Sequence, residues 1–160
     1  MTEPKVVHST FVVERSFSKP PETVFAALSK PEKVSKWFAE GDGSEVLEFN
    51  LDFTVGGTQH LVYRMKEGTP VPGLVIDTEA RFQEIVSNDR IVMAATMKFD
   101  GKRVLASQIT FDLVPSGKGT DLICTHQGAY FEGAPPQMPK ILEGGWNGQM
   151  NQLGKVLEGA

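Results

Sequence analysis

Polar and apolar residues alternate along the chain between His8 and Phe17. Apolar side chains recur there at every second position, which is the period of a strand with one buried face. The pattern therefore predicts a first strand over residues 8–17. The sequence Ser18-Lys-Pro-Pro-Glu22 follows and predicts a helix start, because proline suits the first helical turn and Glu22 complements the helix N-terminus.

Two short helices are predicted after this start. Val24, Phe25 and Leu28 form the apolar face of the first helix. Lys30 ends it, because a residue that precedes proline disfavours the helical region. A second helix is expected from Glu32 to about Phe38.

Strand patterns occupy most of the remaining chain up to residue 130. The segment 46–53 alternates and predicts a strand with Leu47, Phe49, Leu51 and Phe53 on one face. A tight turn is predicted after it at Gly56-Gly57, in which at least one glycine has positive φ. Short turns rich in Gly, Asn, Asp and Ser separate the later strands and favour antiparallel pairing. The further strands are expected over 59–65, 74–86, 90–99, 103–114 and 120–130.

The last segment has helical spacing but contains many glycines. Leu142, Trp146, Met150, Leu153 and Leu157 recur at the period of one helical face. Gly144, Gly145, Gly148 and Gly154 lie among them, and each glycine inside a helix costs about 1 kcal/mol relative to alanine. We favour the explanation that these positions, which carry no side chain, let strands approach the helix closely. The alternative is a break between two shorter helices at Gly144-Gly145. The element order predicts an α+β domain with a helix docked on a curved antiparallel sheet.

Composition narrows the possible functions. The chain has 160 residues and a net charge of -4, which fits one domain and argues against nucleic acid as a partner. Cys124 is the single cysteine, so no internal disulfide forms, which suits a reducing cytoplasm. We find no secretory leader and no apolar run near the roughly 20 residues that span a membrane. A cytoplasmic protein without membrane insertion is expected, and a homodimer stays open.

Several short motifs occur in an order that resembles a known family. They are Arg15-Ser-Phe17, Pro21-Glu-Thr-Val-Phe25, Pro31-Glu32 with Trp37, Asp52-Phe-Thr-Val-Gly-Gly57, Phe82-Gln-Glu-Ile85 with Asp89-Arg-Ile-Val92, Thr110-Phe111, Gly119-Thr-Asp-Leu122, His126-Gln-Gly128, and Gly145-Trp146 with Leu153. The chain resembles the SRPBCC (START, birch-pollen-allergen-like) superfamily. Within it, the chain is most similar to the AHSA-like family, named for activators of the heat shock protein 90 ATPase.

This resemblance implies a helix-grip fold over residues 1–160, in which a seven-stranded antiparallel sheet wraps around the C-terminal helix. It also implies an internal cavity between the helix and the sheet. The fold hosts lipid carriers, hormone receptors, polyketide cyclases and chaperone activators, so it does not settle function. The eukaryotic chaperone activators carry an additional N-terminal domain that these 160 residues lack, which argues against chaperone activation.

The phase of the strands identifies candidate cavity residues. His126 shares a face with Leu122 and Cys124, the face that the resemblance places inward. It is expected either to offer a hydrogen bond or a proton to a ligand or, as we favour, to be satisfied by a neighbouring strand or by water. Gln59 is equally a ligand contact or a strand end open to water. His60 is out of phase with Leu61 and is expected to point outward. The candidate cavity residues are Trp37, Phe38, Gln59, Leu61, Tyr63, Met93, Met97, Cys124, His126, Trp146 and Met150.

Three functions are compatible with these residues. The favoured one is a module that binds a small apolar or amphipathic molecule. The second is a cyclase or aromatase in which His126, Tyr63 or Arg81 acts as acid or base. The third is a chaperone-interaction module, which exposed apolar residues near 131–136 would favour. The three histidines and the cysteine lack the spacing of metal ligands, no nucleophile elbow or phosphate loop is present, and we predict no cofactor.

Overall fold

Seven strands and three helices make up the computed structural model, which describes Thr2 and residues 4–160. The strands are β1 (Val7–Phe17), β2 (Ser44–Leu51), β3 (Thr58–Met65), β4 (Val75–Val86), β5 (Arg90–Phe99), β6 (Lys102–Ser116) and β7 (Gly119–Tyr130). The helices are α1 (Pro21–Ser29), α2 (Pro31–Val34), which continues as a π-helical turn over Ser35–Ala39, and α3 (Met138–Glu158).

The strands form one antiparallel sheet in the order β1-β7-β6-β5-β4-β3-β2. Consecutive strands from β2 to β7 are neighbours, and β1 returns to pair with β7 along its whole length, from Val7 opposite Tyr130 to Phe17 opposite Thr120. The main core lies between one face of this sheet and the helices α1 and α3. The helix-grip prediction is therefore confirmed, with two short helices between β1 and β2.

The first short helix begins at a proline as expected, and the second begins at Pro31, one residue before the predicted Glu32. Pro21 and Pro31 occupy the first helical positions, and Lys30 between the helices is extended. The second helix ends in a wider turn, in which Glu40 N–H donates to the carbonyl of Ser35 at 2.9 Å. This π-helical turn was not predicted, and it brings Trp37 under α1, where its indole N–H donates to the carbonyl of Ala27 at 2.8 Å.

In strand β2, the predicted face is wrong at Leu47. Its pairing with β3 shifts register between Val46 and Glu48, which places Leu47 in a bulge with 42% of its surface exposed. An extra residue in one strand reverses the alternation on one side of it. Beyond the bulge, Phe49, Leu51 and Phe53 pack against the core as predicted.

Helix α3 is continuous, and both explanations of its glycines are wrong. A Cβ atom built on Gly144, Gly145 or Gly148 would meet nothing within 4 Å, and one on Gly154 would only reach ordinary contact with the Phe17 ring at 3.5 Å. No strand approaches these positions closely, and the helix does not break at them. Its opposite face is buried as expected, through Trp146, Met150, Leu153 and Leu157.

The turn at Gly56-Gly57 has the predicted geometry. Gly56 has φ of 86°, a left-handed conformation that glycine adopts at little cost. Gly57 is needed for a different reason, because a Cβ there would collide with the backbone oxygen of Asp52. The turn is thereby held against the end of β2, and Gly56 N–H donates to the carbonyl of Phe82 at 2.8 Å.

No helix within the described residues is both long and apolar enough to cross a membrane.

Candidate ligand-binding cavity

A cavity of about 640 Å³ lies between the concave face of the sheet and the N-terminal half of α3. Side chains at alternate positions of a strand share one face, and this geometry brings inward residues of five neighbouring strands, β3 to β7, to the same space. The π-helical turn closes one side. The sheet contributes, among others, Leu61, Ala80, Met93, Ala95, Met97, Leu105 and Ile109.

Aromatic side chains form the wall between α3 and the π-helical turn. Trp146 lies 6.1 Å from Phe38 and 5.9 Å from Phe111, measured between ring centroids. Trp37 stands edge-on to Phe111 at 6.4 Å, and its indole N–H is already bonded to the backbone. Tilted and edge-to-face arrangements of this kind are the favoured aromatic geometries. The wall therefore offers a ligand apolar contact, with the Trp37 N–H already satisfied.

His126 is the most deeply buried polar residue of this cavity. It is 1% exposed, and its ring lies parallel to that of Phe11, with centroids 4.7 Å apart. Burial lowers the pKa of His126 from 6.5 to about 4, because the apolar surroundings disfavour the imidazolium. The ring is therefore neutral at pH 7. Its Nδ1 atom is buried without a hydrogen-bond partner, so the expectation that a neighbouring strand satisfies the ring fails for this atom.

A second unpartnered polar atom, the hydroxyl of Tyr130, belongs to a smaller core cluster with Val104, Leu105 and Met138 and not to the cavity lining. Tyr130 is 3% exposed and is on the same face of β7 as His126, with Gly128 between them. A Cβ on Gly128 would lie 3.0 Å from Tyr130 Cζ and 3.1 Å from His126 Cε1. The two rings thus converge above Gly128, whose missing side chain leaves the space that they occupy. The Tyr130 oxygen is buried without a partner, and burial raises its pKa.

Two further polar residues, Gln59 and Tyr63, line the cavity from β3. Gln59 is 7% exposed, so its amide lies inside the structure and is not an open strand end. Burial raises the pKa of Tyr63 to about 12. The Tyr63 phenol is therefore uncharged at neutral pH, as His126 is, and the Gln59 amide carries no charge at any pH.

The cavity reaches the surface between α3 and the loop that follows the π-helical turn. Exposed residues on its rim are Gly145 and Gly148 of α3 and Glu40, Gly41 and Asp42 of the loop. Two of the four glycines of α3, Gly145 and Gly148, therefore line an entrance, which explains why no neighbouring atom fills the space beside these two. Next to this entrance, the Gln149 amide nitrogen donates to the carbonyl of Phe38 at 3.4 Å, a long contact between the two sides.

The structure brings nine of the eleven candidate residues to the cavity: Trp37, Phe38, Gln59, Leu61, Tyr63, Met93, Met97, His126 and Trp146. Cys124 and Met150 are corrections, since both are fully packed in the core beneath the helices. On β7, Cys124 comes two residues before His126. On α3, Met150 comes one turn after Trp146. Burial raises the pKa of the Cys124 thiol to about 12, which makes it unreactive.

Arg81 and His60 both point away from the cavity. Arg81, considered as an acid or base, is exposed and donates to the carbonyl of Gly56 at 3.0 Å. His60 points outward as predicted, with its Nε2 atom 2.8 Å from the Asp77 carboxylate. No cluster of three or more potential metal ligands occurs within the described residues.

Sequence reasoning missed several cavity residues. Leu105, Ser107 and Ile109 of β6 line it, and their alternation in 103–114 was a usable signal. Gly145 and Gly148 gave no such signal, because a residue without a side chain does not show which face it lines.

Comparison with known proteins identifies the family. The family described as "Activator of Hsp90 ATPase homolog 1-like protein" matches residues 18–158. The chain belongs to this family. The AHSA1 match spans both short helices, the sheet from β2 onward and all of α3, and so covers every element that contributes to the cavity. No curated protein matches the chain.

Solved structures of similar proteins agree with the AHSA1 family. A protein from Rhizobium loti is 38% identical, with a TM-score of 0.80 over 94% of this chain and 98% of its own. A protein from Rhizobium leguminosarum is 30% identical, with a TM-score of 0.87 over 97% of each chain. A third, from Chromobacterium violaceum, is 28% identical, with a TM-score of 0.72 over 93% of this chain and 96% of its own.

Proposed function

We propose that this AHSA1-family protein binds a small apolar or amphipathic molecule in the cavity between the sheet and α3. The observation that carries the proposal is a cavity of about 640 Å³ that is lined by aromatic and aliphatic side chains and by a few polar ones, with the neutral imidazole of His126 at its wall. Small-molecule sites of about 300–1,000 Å³ typically combine apolar walls with a few placed polar groups. Membership of a family whose fold surrounds such a cavity supports the same proposal.

The pKa values favour binding over catalysis. A general acid or base works best when its pKa lies near the working pH. Burial moves the pKa of His126 to about 4 and that of Tyr63 to about 12, which is far from neutrality in both cases. The third candidate, Arg81, bonds the backbone outside the cavity. A cyclase or aromatase role therefore has less support than ligand binding.

A chaperone-interaction role also has less support than ligand binding, because the segment 131–136 does not present the exposed apolar surface that would favour it. In the segment 131–136, Phe131 is half-buried, and the proline residues at 135 and 136 are exposed. The large exposed apolar side chains of the described chain lie elsewhere, for example at Val55 and Ile141. Single exposed apolar residues are normal on a protein surface.

Titration with the uncharged dye 1-aminoanthracene tests the proposal. Saturable fluorescence enhancement with one dye per chain is expected, together with quenching of tryptophan fluorescence, because Trp146 and Trp37 line the cavity. Native mass spectrometry of freshly purified protein would show any ligand that co-purifies.

A cavity-filling variant and its matched control locate the bound dye. Ala95 lines the cavity from β5, and Ala94 beside it is exposed on the opposite face. Ala95→Phe should abolish dye binding, whereas Ala94→Phe should leave it unchanged. Saturable binding that survives Ala95→Phe, or no saturable binding to the wild type, would contradict the proposal.

A further inference from the structure

A row of small side chains crosses the sheet at the floor of the cavity. The pairing registers align Ala80 of β4 with Ala95 of β5, and Ala95 with Ser107 of β6. All three residues line the cavity. Neighbouring strands lie about 4.8 Å apart, so the row spans roughly 10 Å across three strands.

Larger side chains stand on both sides of this row. Successive residues on one face of a strand are about 6.7 Å apart along the strand. The neighbouring row on one side contains Met93 opposite Ile109, and the row on the other side contains Met97 opposite Leu105. These four residues also line the cavity. The floor is therefore a narrow slot, with room for a flat ring system that lies across the strands.

Gln59 of β3 continues the slot at one end. It pairs directly with Ala80 and so extends the row by one strand. Gln59 is 7% exposed and lines the cavity. Its amide makes no hydrogen bond to another described residue, and it is not one of the fully enclosed polar groups there, which are His126 Nδ1 and the Tyr130 oxygen. The Gln59 amide therefore faces the open space of the cavity.

The hydrogen-bonding capacity of Gln59 restricts the group that it can bind. A buried amide is unfavourable unless a partner supplies its hydrogen bonds. The side-chain amide of glutamine both donates and accepts. A carboxamide or lactam group has the same two capacities in one plane and can pair with it through two parallel hydrogen bonds. A ketone or an ether can only accept.

The charged residues of the cavity lining restrict the ligand further. Glu40, Asp42 and Glu79 are exposed carboxylates, and no described residue of the lining is lysine or arginine. An anion bound beside Gln59 would be buried without a counter-ion, which is strongly unfavourable. A cation bound there would likewise lack a buried counter-ion, since the three carboxylates are at the surface. An uncharged ligand fits this end of the cavity best.

We propose that Gln59 binds the polar end of the ligand, and that this ligand is a flat, uncharged molecule with one carboxamide or lactam group. The rings lie on the floor formed by Ala80, Ala95 and Ser107, with Trp146 of α3 on the opposite side of the cavity. The amide group of the ligand pairs with that of Gln59. This inference rests on the proposed binding function and specifies the ligand class of the same cavity.

Five naphthalene probes of similar size test the ligand class. Naphthalene has no polar group, 2-acetylnaphthalene only accepts, and 2-naphthamide both donates and accepts. At pH 7, 2-naphthoate is an anion of nearly the same shape as the amide, and 2-naphthylmethylamine is a cation. Displacement of 1-aminoanthracene gives the affinity of each probe. We expect 2-naphthamide to bind most tightly and 2-naphthoate least tightly.

The Gln59→Met variant removes the amide and keeps an unbranched side chain of similar length. We expect it to weaken 2-naphthamide about tenfold, the size expected for two lost hydrogen bonds of modest net strength, and to change naphthalene less than about twofold. Its melting temperature should not fall, because the amide has no partner in the ligand-free protein. Gln83→Met is the matched control, because Gln83 is exposed on β4 and does not line the cavity. It should keep the preference for 2-naphthamide.

The outcomes separate this ligand class from the binding function. If naphthalene and the dye bind but Gln59→Met keeps the preference for 2-naphthamide, the role of Gln59 is overturned and the binding function stands. In the wild type, equal binding of 2-acetylnaphthalene and 2-naphthamide would overturn the paired amide. Tighter binding of the anion or the cation than of 2-naphthamide would overturn the uncharged class. If none of the probes binds the wild type, the binding function itself fails.

Discussion

The imidazole of His126 lies flat against the ring of Phe11, with planes only 5° apart and centroids separated by 4.7 Å. Phe11 belongs to the edge strand β1 and pairs with His126 across the ladder to β7. The stacking orients the imidazole without forming a hydrogen bond to Nδ1. A polar ring is thus held by apolar contact, and its protonation becomes linked to the stability of the fold.

The stability of the protein should depend on pH through His126. Its pKa is about 4 in the folded protein and near 6.5 in the unfolded chain, so the unfolded chain binds more protons between these values. The contribution is fully present above about pH 6.5 and is lost as the pH falls towards about 4. Between about pH 7 and pH 5 the wild type should lose about 2 kcal/mol more unfolding free energy than His126→Leu.

Urea denaturation at both pH values measures this difference. His8→Gln provides the control, because it removes an exposed histidine and keeps His126, so it should retain the wild-type pH dependence. Equal pH dependence in the wild type and His126→Leu would show that the imidazole is not buried in its neutral form.

Trp146→Ala should strongly destabilise the protein. Trp146 is 6% exposed and contacts the aromatic wall through Phe38 and Phe111. Replacing a buried tryptophan by alanine typically costs 3–5 kcal/mol. Ile141→Ala on the same helix, at a position 59% exposed, should change the unfolding free energy far less. A melting temperature of Trp146→Ala within a degree or two of the wild type would contradict the role of α3 in the core.

Valine substitutions in the β2–β3 turn should destabilise for two different reasons. Gly56→Val introduces a β-branched residue at φ of 86°, where such residues are strained. Gly57→Val instead places a side chain against the backbone of Asp52. Thermal melts should show a loss for both, and the larger one for Gly57→Val, because the backbone there must move. Wild-type stability of both variants would be incompatible with this turn.

Leucine at Gly148 should slow ligand association without destabilising the fold. Gly148 lines the entrance, and a Cβ there meets nothing within 4 Å, so the added side chain has room beside the opening. Gly144 is the matched control, because it is equally open but does not line the cavity. Both variants should gain up to about 1 kcal/mol from improved helix propensity.

Stopped-flow mixing with 1-aminoanthracene distinguishes the two glycine positions. Only Gly148→Leu should reduce the association rate, and Gly144→Leu should match the wild type. If both variants associate at the wild-type rate, ligands reach the cavity by a route other than the side of α3.

The regular elements were predictable because each follows from a local pattern. The alternation of 8–17 and the proline at position 31 act on neighbouring residues, and the structure reproduces both elements within a few residues. The bulge at Leu47 was not predictable in this way, since it depends on how β2 pairs with β3. The π-helical turn after Val34 likewise depends on where Trp37 finds its partner in α1.

The cavity was predictable only in part, for a related reason. Strand phase placed Tyr63, Met93 and His126 on the inner face, but phase alone does not show where the helices end and the cavity begins. Cys124 has the correct phase and is nevertheless covered by the core. Likewise, the lack of a hydrogen-bond partner at His126 Nδ1 depends on every element packed around the ring, which strand phase does not describe.

The side of α3 that carries Gly145 and Gly148 separates ligand entry from fold stability, two properties that often constrain each other in binding proteins. A Cβ atom added at Gly145 or Gly148 would meet no neighbouring atom within 4 Å, while the residues that hold the helix in place lie on its opposite face. Mutations at the entrance can therefore alter which molecules are admitted, and how fast, while the folded state keeps its stability. Ligand selectivity in this scaffold is consequently open to stepwise evolutionary change through single substitutions that selection for folding would not remove.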